Sequence, residues 1–162
     1  MFSDYKIGPE AMEYFLMGYQ SQMDGRLEDA VYYYKKSLEI EDTAEGHTFL
    51  GWAYSFMGNL EEAIAECKRA IQVDPEFGNP YNDIGSYLLQ QNKPDEAIAW
   101  LKKAKRAKRY ATPEYAYINT GKAYEMKGLW PLAILEYRRA LEINPRYVPA
   151  KTALDRLAIR LN

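Results

Sequence analysis

Cysteine occurs once in this chain, at Cys67, and histidine once, at His47. A single thiol closes no internal disulfide, and one thiol with one imidazole is too few for a zinc cage built from one chain. Long apolar runs are missing as well. None approaches the roughly 18 residues of a membrane span, and the opening MFSDYKIGPE has no secretory apolar core. Membrane insertion is therefore not expected, and a cytoplasmic location is. Net charge is only −2, which gives no global pull toward nucleic acid or a membrane surface. Chemistry-bearing motifs are absent too: no G-x-S-x-G elbow, no H-E-x-x-H, no Gly-rich phosphate loop. Neighbouring carboxylates such as Glu61 and Glu62 point apart on a helix. The offsets leave a Cys67–His47 contact open, but both residues fall at packing positions. The chain reads as a non-enzyme, with no catalytic residue, no metal and no cofactor.

What the chain has is a repeated pattern. Ala44 to Pro75 reads AEGHTFLGWAYSFMGNLEEAIAECKRAIQVDP. Gly51 stands amid good helix formers, where glycine costs about 1 kcal/mol against alanine, so a second helix should approach the backbone there. Gly58-Asn59 suits a helix end in the left-handed region. Glu61 and Glu62 open a second helix at the positive end of its dipole, and Pro75 closes it. Ala63 and Ala70 lie seven apart on one face. The result is an antiparallel helix pair with an apolar face that it cannot bury alone. Copies flank it: Gly18, Gly51, Gly85 and Gly121 are 33, 34 and 36 residues apart.

Leu50-Gly51, Tyr54, Gly58, Ala63, Ala70 and Pro75 resemble the tetratricopeptide pattern, here in a small bacterial-type array with a period of about 34 residues. His47 stands where that pattern usually has Trp, and Cys67 where it has an aromatic. The resemblance implies an all-α fold, a right-handed superhelical solenoid of antiparallel helix pairs with four repeats and a capping helix. We expect a flexible lead over 1–8, repeats over 11–43, 44–77, 78–111 and 114–147, and the cap over 148–162, all in one domain. In the cap, Val148, Ala153, Leu154, Leu157, Ala158 and Leu161 recur at helical spacing. Ser37 and Asp42 depart from the pattern in the first repeat, as terminal repeats do.

The resemblance also implies where function lies. In such arrays the first helix of each pair lines a concave face. Phe15, Tyr19, Phe49, Trp52 and Phe56 fall at its outward positions, with Asn82, Asp83, Asn119 and Lys122 further along. The expected function is a protein–protein interaction scaffold that binds an apolar or amphipathic partner segment in an aromatic groove. Some relatives grip acidic chaperone tails through a clamp of Lys, Asn and Arg. Phe15, Tyr19, Thr48 and Trp52 do not supply it, so that function is not carried over. Two alternatives stand beside the groove. One is a homo-oligomer formed through the array ends. The other is an anion or nucleic-acid surface at Lys102, Lys103, Lys105, Arg106, Lys108 and Arg109, six basic residues among eight. Nucleic acid is the less expected partner, because Tyr110 alone is no stacking platform. Residues 1–75 carry 6 basic against 14 acidic side chains and residues 76–162 carry 15 against 9, so the array should have an acidic and a basic end.

Overall fold

The computed structural model describes residues 2–161; Met1 of the lead, Asn162 of the cap and the Leu161 side chain lie outside the described residues. The helices are α1 (Pro9–Met23), α2 (Leu27–Ile40), α3 (Ala44–Phe56), α4 (Leu60–Val73), α5 (Asn79–Gln90), α6 (Pro94–Ala104), α7 (Glu114–Met126), α8 (Trp130–Ile143) and α9 (Val148–Leu161). Among the described residues the only β feature is an isolated parallel bridge between Phe77 and Arg109. Each helix packs on the next one in sequence, and α1, α3, α5 and α7 also touch in succession. The odd helices thus crowd together on one side, and that side is the inner face of the stack.

Local chemistry sets the pairs. Pro9 starts α1, at a position where the N–H that proline lacks would have had no helical partner. Acidic residues fill the first turns of α2, α4 and α6, where the dipole favours them. Between the helices of each pair the backbone turns through the left-handed region, at Gly25, Gly58, Asn92 and Gly128. Asn92 is the non-glycine of the set, and asparagine is the side chain that tolerates this conformation best.

The recurring glycines make the close approach their spacing predicts. A Cβ at Gly18 would stand 2.7 Å from the Tyr34 ring, one at Gly85 2.6 Å from Leu101 and one at Gly121 2.3 Å from Tyr137. At Gly51 the facing residue is the smaller Cys67, and the nearest atom becomes the Ala63 carbonyl oxygen at 2.9 Å. Ala30, Ala63, Ala97 and Ala133 are fully buried at these crossings. Ser37 is equally buried, and its hydroxyl donates to the Ala11 carbonyl at 2.8 Å. That bond satisfies a polar group in the place of an alanine.

One expectation, the apolar stripe of the cap, is corrected here. Val148 is 66% exposed and Ala158 is exposed; α9 instead buries Ala150, Ala153 and Leu157. Arg160 stacks its guanidinium 4.3 Å over the Trp130 ring, which ties α9 to α8. The basic stretch does not continue as helix. After Ala104 the chain leaves α6, and Gly78 N–H donates to the Arg109 carbonyl while Arg109 N–H donates to that of Glu76.

Candidate interaction groove

The inner face has two halves. Toward the N-terminus, Phe15 of α1 and Phe49 of α3 meet edge to face with ring centres 4.9 Å apart. Tyr19 joins Phe49 at 6.1 Å. Over them lies the leading segment, expected to be a flexible lead. Phe2 stands edge-on to Phe15, Tyr19 and Phe49, and Tyr5 to Phe15, Phe49 and Phe77. Backbone bonds fix the segment: Lys6 N–H donates to Glu45 Oε1 at 2.9 Å and Gly8 N–H to Glu41 Oε2 at 2.5 Å. Lys6 Nζ reaches Asp74 at 3.3 Å.

This cover corrects part of the expected site. Phe15 is fully buried and is core. Tyr19 and Phe49 are half-buried beneath Phe2 and Tyr5. The signal for the cover was the apolar content of an otherwise polar lead, at Phe2, Tyr5 and Ile7, but it has no helical period.

The second half is open. Trp52 sits edge-on to Phe49 at 5.6 Å and to Phe56 at 5.4 Å, and Phe56 is 60% exposed. A pocket of about 380 Å³ is lined by Thr48, Phe49, Trp52, Asn79, Asn82, Asp83, Tyr110, Thr112 and Tyr115. A second one of about 300 Å³ continues from Trp52, Phe56 and Asp83 to Ser86, Tyr87 and Gln90. Asn82 and Asn119, expected to reach for a partner, are buried instead. Asn119 Nδ2 donates to Asn82 Oδ1 at 3.0 Å, and Asn82 Nδ2 to Asp83 Oδ1 at 3.3 Å. The two amides join α7 to α5 beneath the groove. Asp83 is half-buried, and loss of solvent pushes its carboxyl up to about 7, against the opposing pull of the Asn82 bond. Lys122 is exposed on α7.

The basic stretch is divided. Lys105 Nζ pairs with Glu136 at 2.5 Å and lies 4.3 Å over the Tyr117 ring. Arg109 binds Glu45 and Asp74, each at 2.8 Å, with its guanidinium 4.2 Å over Phe77. Glu45 is 1% exposed, so this pairing is what permits its burial. Lys102, Lys103, Arg106 and Lys108 are exposed. Away from the groove, His47 is no apolar packing residue. Its Nδ1 meets Glu66 at 2.5 Å and its Nε2 meets Asp42 at 2.8 Å, so the ring links two carboxylates. Cys67 is fully buried and burial pushes its thiol up, the environment of an inert cysteine.

Comparison with known proteins places these features. Residues 44–77 and residues 79–110 each match the tetratricopeptide repeat. A photosystem I assembly protein, Ycf3, from Prochlorococcus marinus strain NATL2A is 30% identical over 106 residues, which cover 59% of this chain and 61% of that protein. The chain thus spans about 61% of the length of the curated relatives it matches. Among solved structures, PilW, a widely conserved type IV pilus biogenesis factor, superposes with a TM-score of 0.85 at 20% identity, over 94% of this chain and 70% of that one. The first such domain of Spaghetti (RPAP3), bound to the HSP90 peptide SRMEEVD, gives 0.66 at 23% identity, over 74% and 93%. No described helix is long and apolar enough to cross a membrane. Two units match the repeat outright, two more repeat their glycines, turns and packing partners at the same offsets, and the chain is an array of tetratricopeptide repeats.

Proposed function

We propose that this chain is a protein-interaction adaptor that holds a segment of a partner protein on the open half of its inner face, with Trp52 as the anchor. The observation that carries this reading is the aromatic-walled pocket beside Trp52, which the leading segment leaves uncovered while it fills the neighbouring half. Rigid rings in a pocket with a polar rim are the usual anchors of such interfaces, and truncating one typically costs about 2 kcal/mol or more of binding. Relatives of similar build support the class: one carries the name of an assembly protein, and another holds a short peptide. The single histidine is engaged outside the groove, so the reading invokes no catalysis.

Capture from the source cell with tagged wild-type and Trp52→Ala chains tests the proposal. The variant should lose the partner and keep its helicity and melting temperature. Capture at full strength by a folded variant would overturn it. If that capture also fell steeply with salt, the function would move to the exposed cations Lys102, Lys103, Arg106 and Lys108, since counterion release gives phosphate binding that dependence.

A further inference from the structure

Two places inside this protein share a composition. Lys105 lies over the Tyr117 ring and pairs with Glu136; Arg109 lies over the Phe77 ring and pairs with Asp74. Each joins a cation, an aromatic face and a half-buried or buried carboxylate. The open groove assembles two of these three parts. Asp83 lines both pockets, and rings from Phe49, Trp52, Tyr110 and Tyr115 stand around it. Its hydrogen bond among the described residues is the 3.3 Å contact from Asn82, and no described lysine or arginine lies within ion-pair distance. Arg109, a strong cation on the neighbouring loop, is already held by Glu45 and Asp74.

The surroundings make an unpaired carboxylate costly. A half-buried acid without a counter-ion either keeps its proton or waits for a charge, and the upward displacement of Asp83 to about 7 expresses that cost. Two hydroxyls nearby are also unsatisfied. Tyr87 is 4% exposed and its hydroxyl has no hydrogen-bond partner among the described atoms, and the Tyr110 hydroxyl is in the same state. Both phenols are pushed up chiefly by burial and next by the Asp83 carboxyl, so they stay neutral beside it.

We propose that this pocket takes a lysine or arginine side chain presented by the partner segment, with Asp83 as its counter-ion and the Trp52, Phe49 and Tyr115 rings against its stem and charged head. The proposal rests on the reading that the open groove holds a partner segment, and adds which residue of that segment enters. Charge complementarity selects the occupant: a purely apolar side chain would strand the carboxylate, and an acidic one would be repelled. Arginine and lysine both cover aromatic faces with a cation while their stems pack on apolar surface.

The probes are Nα-acetyl-arginine methylamide and the corresponding citrulline compound, which has nearly the same shape and no charge. Titrated into the full chain and followed by the Trp52 indole N–H resonance, the arginine probe should bind saturably, with a Kd on the order of 1 mM. The citrulline probe should bind about tenfold more weakly. Asp83→Asn should bring the arginine probe down to the citrulline level. Ser86→Lys places a cation one helical turn from Asp83 and should block the arginine probe while leaving Asp83 itself in place. Melting temperatures check that both variants are folded. Equal binding of the two probes, no saturable binding of the arginine probe, or undiminished binding in either variant would overturn the proposal. Partner capture separates this failure from that of the adaptor reading. Loss with Trp52→Ala but full retention with Asp83→Asn keeps the adaptor and removes the cation site; loss with both supports the two together.

Discussion

Phe15 and Phe56 both stand on first helices of their pairs and both point to the inner side of the stack, yet one is fully buried and the other is 60% exposed. The helices beneath them are built alike. What differs is the cover: Phe2 and Tyr5 lie across the first half of the face, and no described segment lies across the second. A ring on the inner face is therefore core or contact surface according to what crosses above it, and the repeat position alone does not decide.

The largest expected effect separates the halves by stability. Phe15→Ala should cost about 3–5 kcal/mol, the usual loss for a fully buried ring, read from a denaturant midpoint. A cost near zero would mean that the first half is as open as the second. Tyr5→Ala attacks the cover itself. It removes one ring from contacts with Phe15, Phe49 and Phe77 and should cost about 2 kcal/mol. Binding of a hydrophobic dye should rise as the first half begins to resemble the second. Unchanged dye binding and stability would show that Tyr5 covers nothing of consequence.

The open half should announce itself through pH. The folded Asp83 carboxyl holds its proton up to about 7, against an ordinary value of 3.8. Between those values the folded state binds the extra proton, so this residue's contribution makes stability fall as pH rises through the window. Asp83→Asn should remove that contribution. Relative to the parent chain, the variant should gain stability progressively from pH 4 to pH 8, measured by urea midpoints at each pH. A constant difference across the range would mean that Asp83 is as well solvated as a surface acid. The smallest effect belongs to Phe56→Ala, which should change stability by no more than about 0.5 kcal/mol. A larger loss would place Phe56 with Phe15 and dissolve the distinction.

Much of this architecture was legible because it is local. Gly18, Gly51, Gly85 and Gly121 announce where a facing helix comes close, and Gly25, Gly58 and Gly128 announce the turns, each through contacts within its own helix pair. The groove was legible only as a helical face. Phe15 carried the same signature as Phe49 and Trp52, and its burial depends on Phe2 and Tyr5, which belong to no period. Asn82 and Asn119 read as polar groups for a partner, whereas they bond to each other from residues 37 apart. Arg109 read as one more cation in a basic run, and its carboxylate partner Glu45 is 64 residues away. Such pairings are set by how the repeats stack, and spacing within one repeat does not contain them.

Arg109 has a consequence for how the molecule would yield under tension. In a stack held only by neighbour contacts, pulling on the ends should peel helix pairs away singly, each releasing roughly 120 Å of chain. Here the backbone of Arg109 is bonded to Glu76 and Gly78, and its guanidinium grips Glu45 at the start of α3 and Asp74 at the end of α4. The loop after α6 is thus fastened to both helices of the preceding pair. The two central pairs should resist extension as one block and give way in a single longer step, after the outer ones have come off.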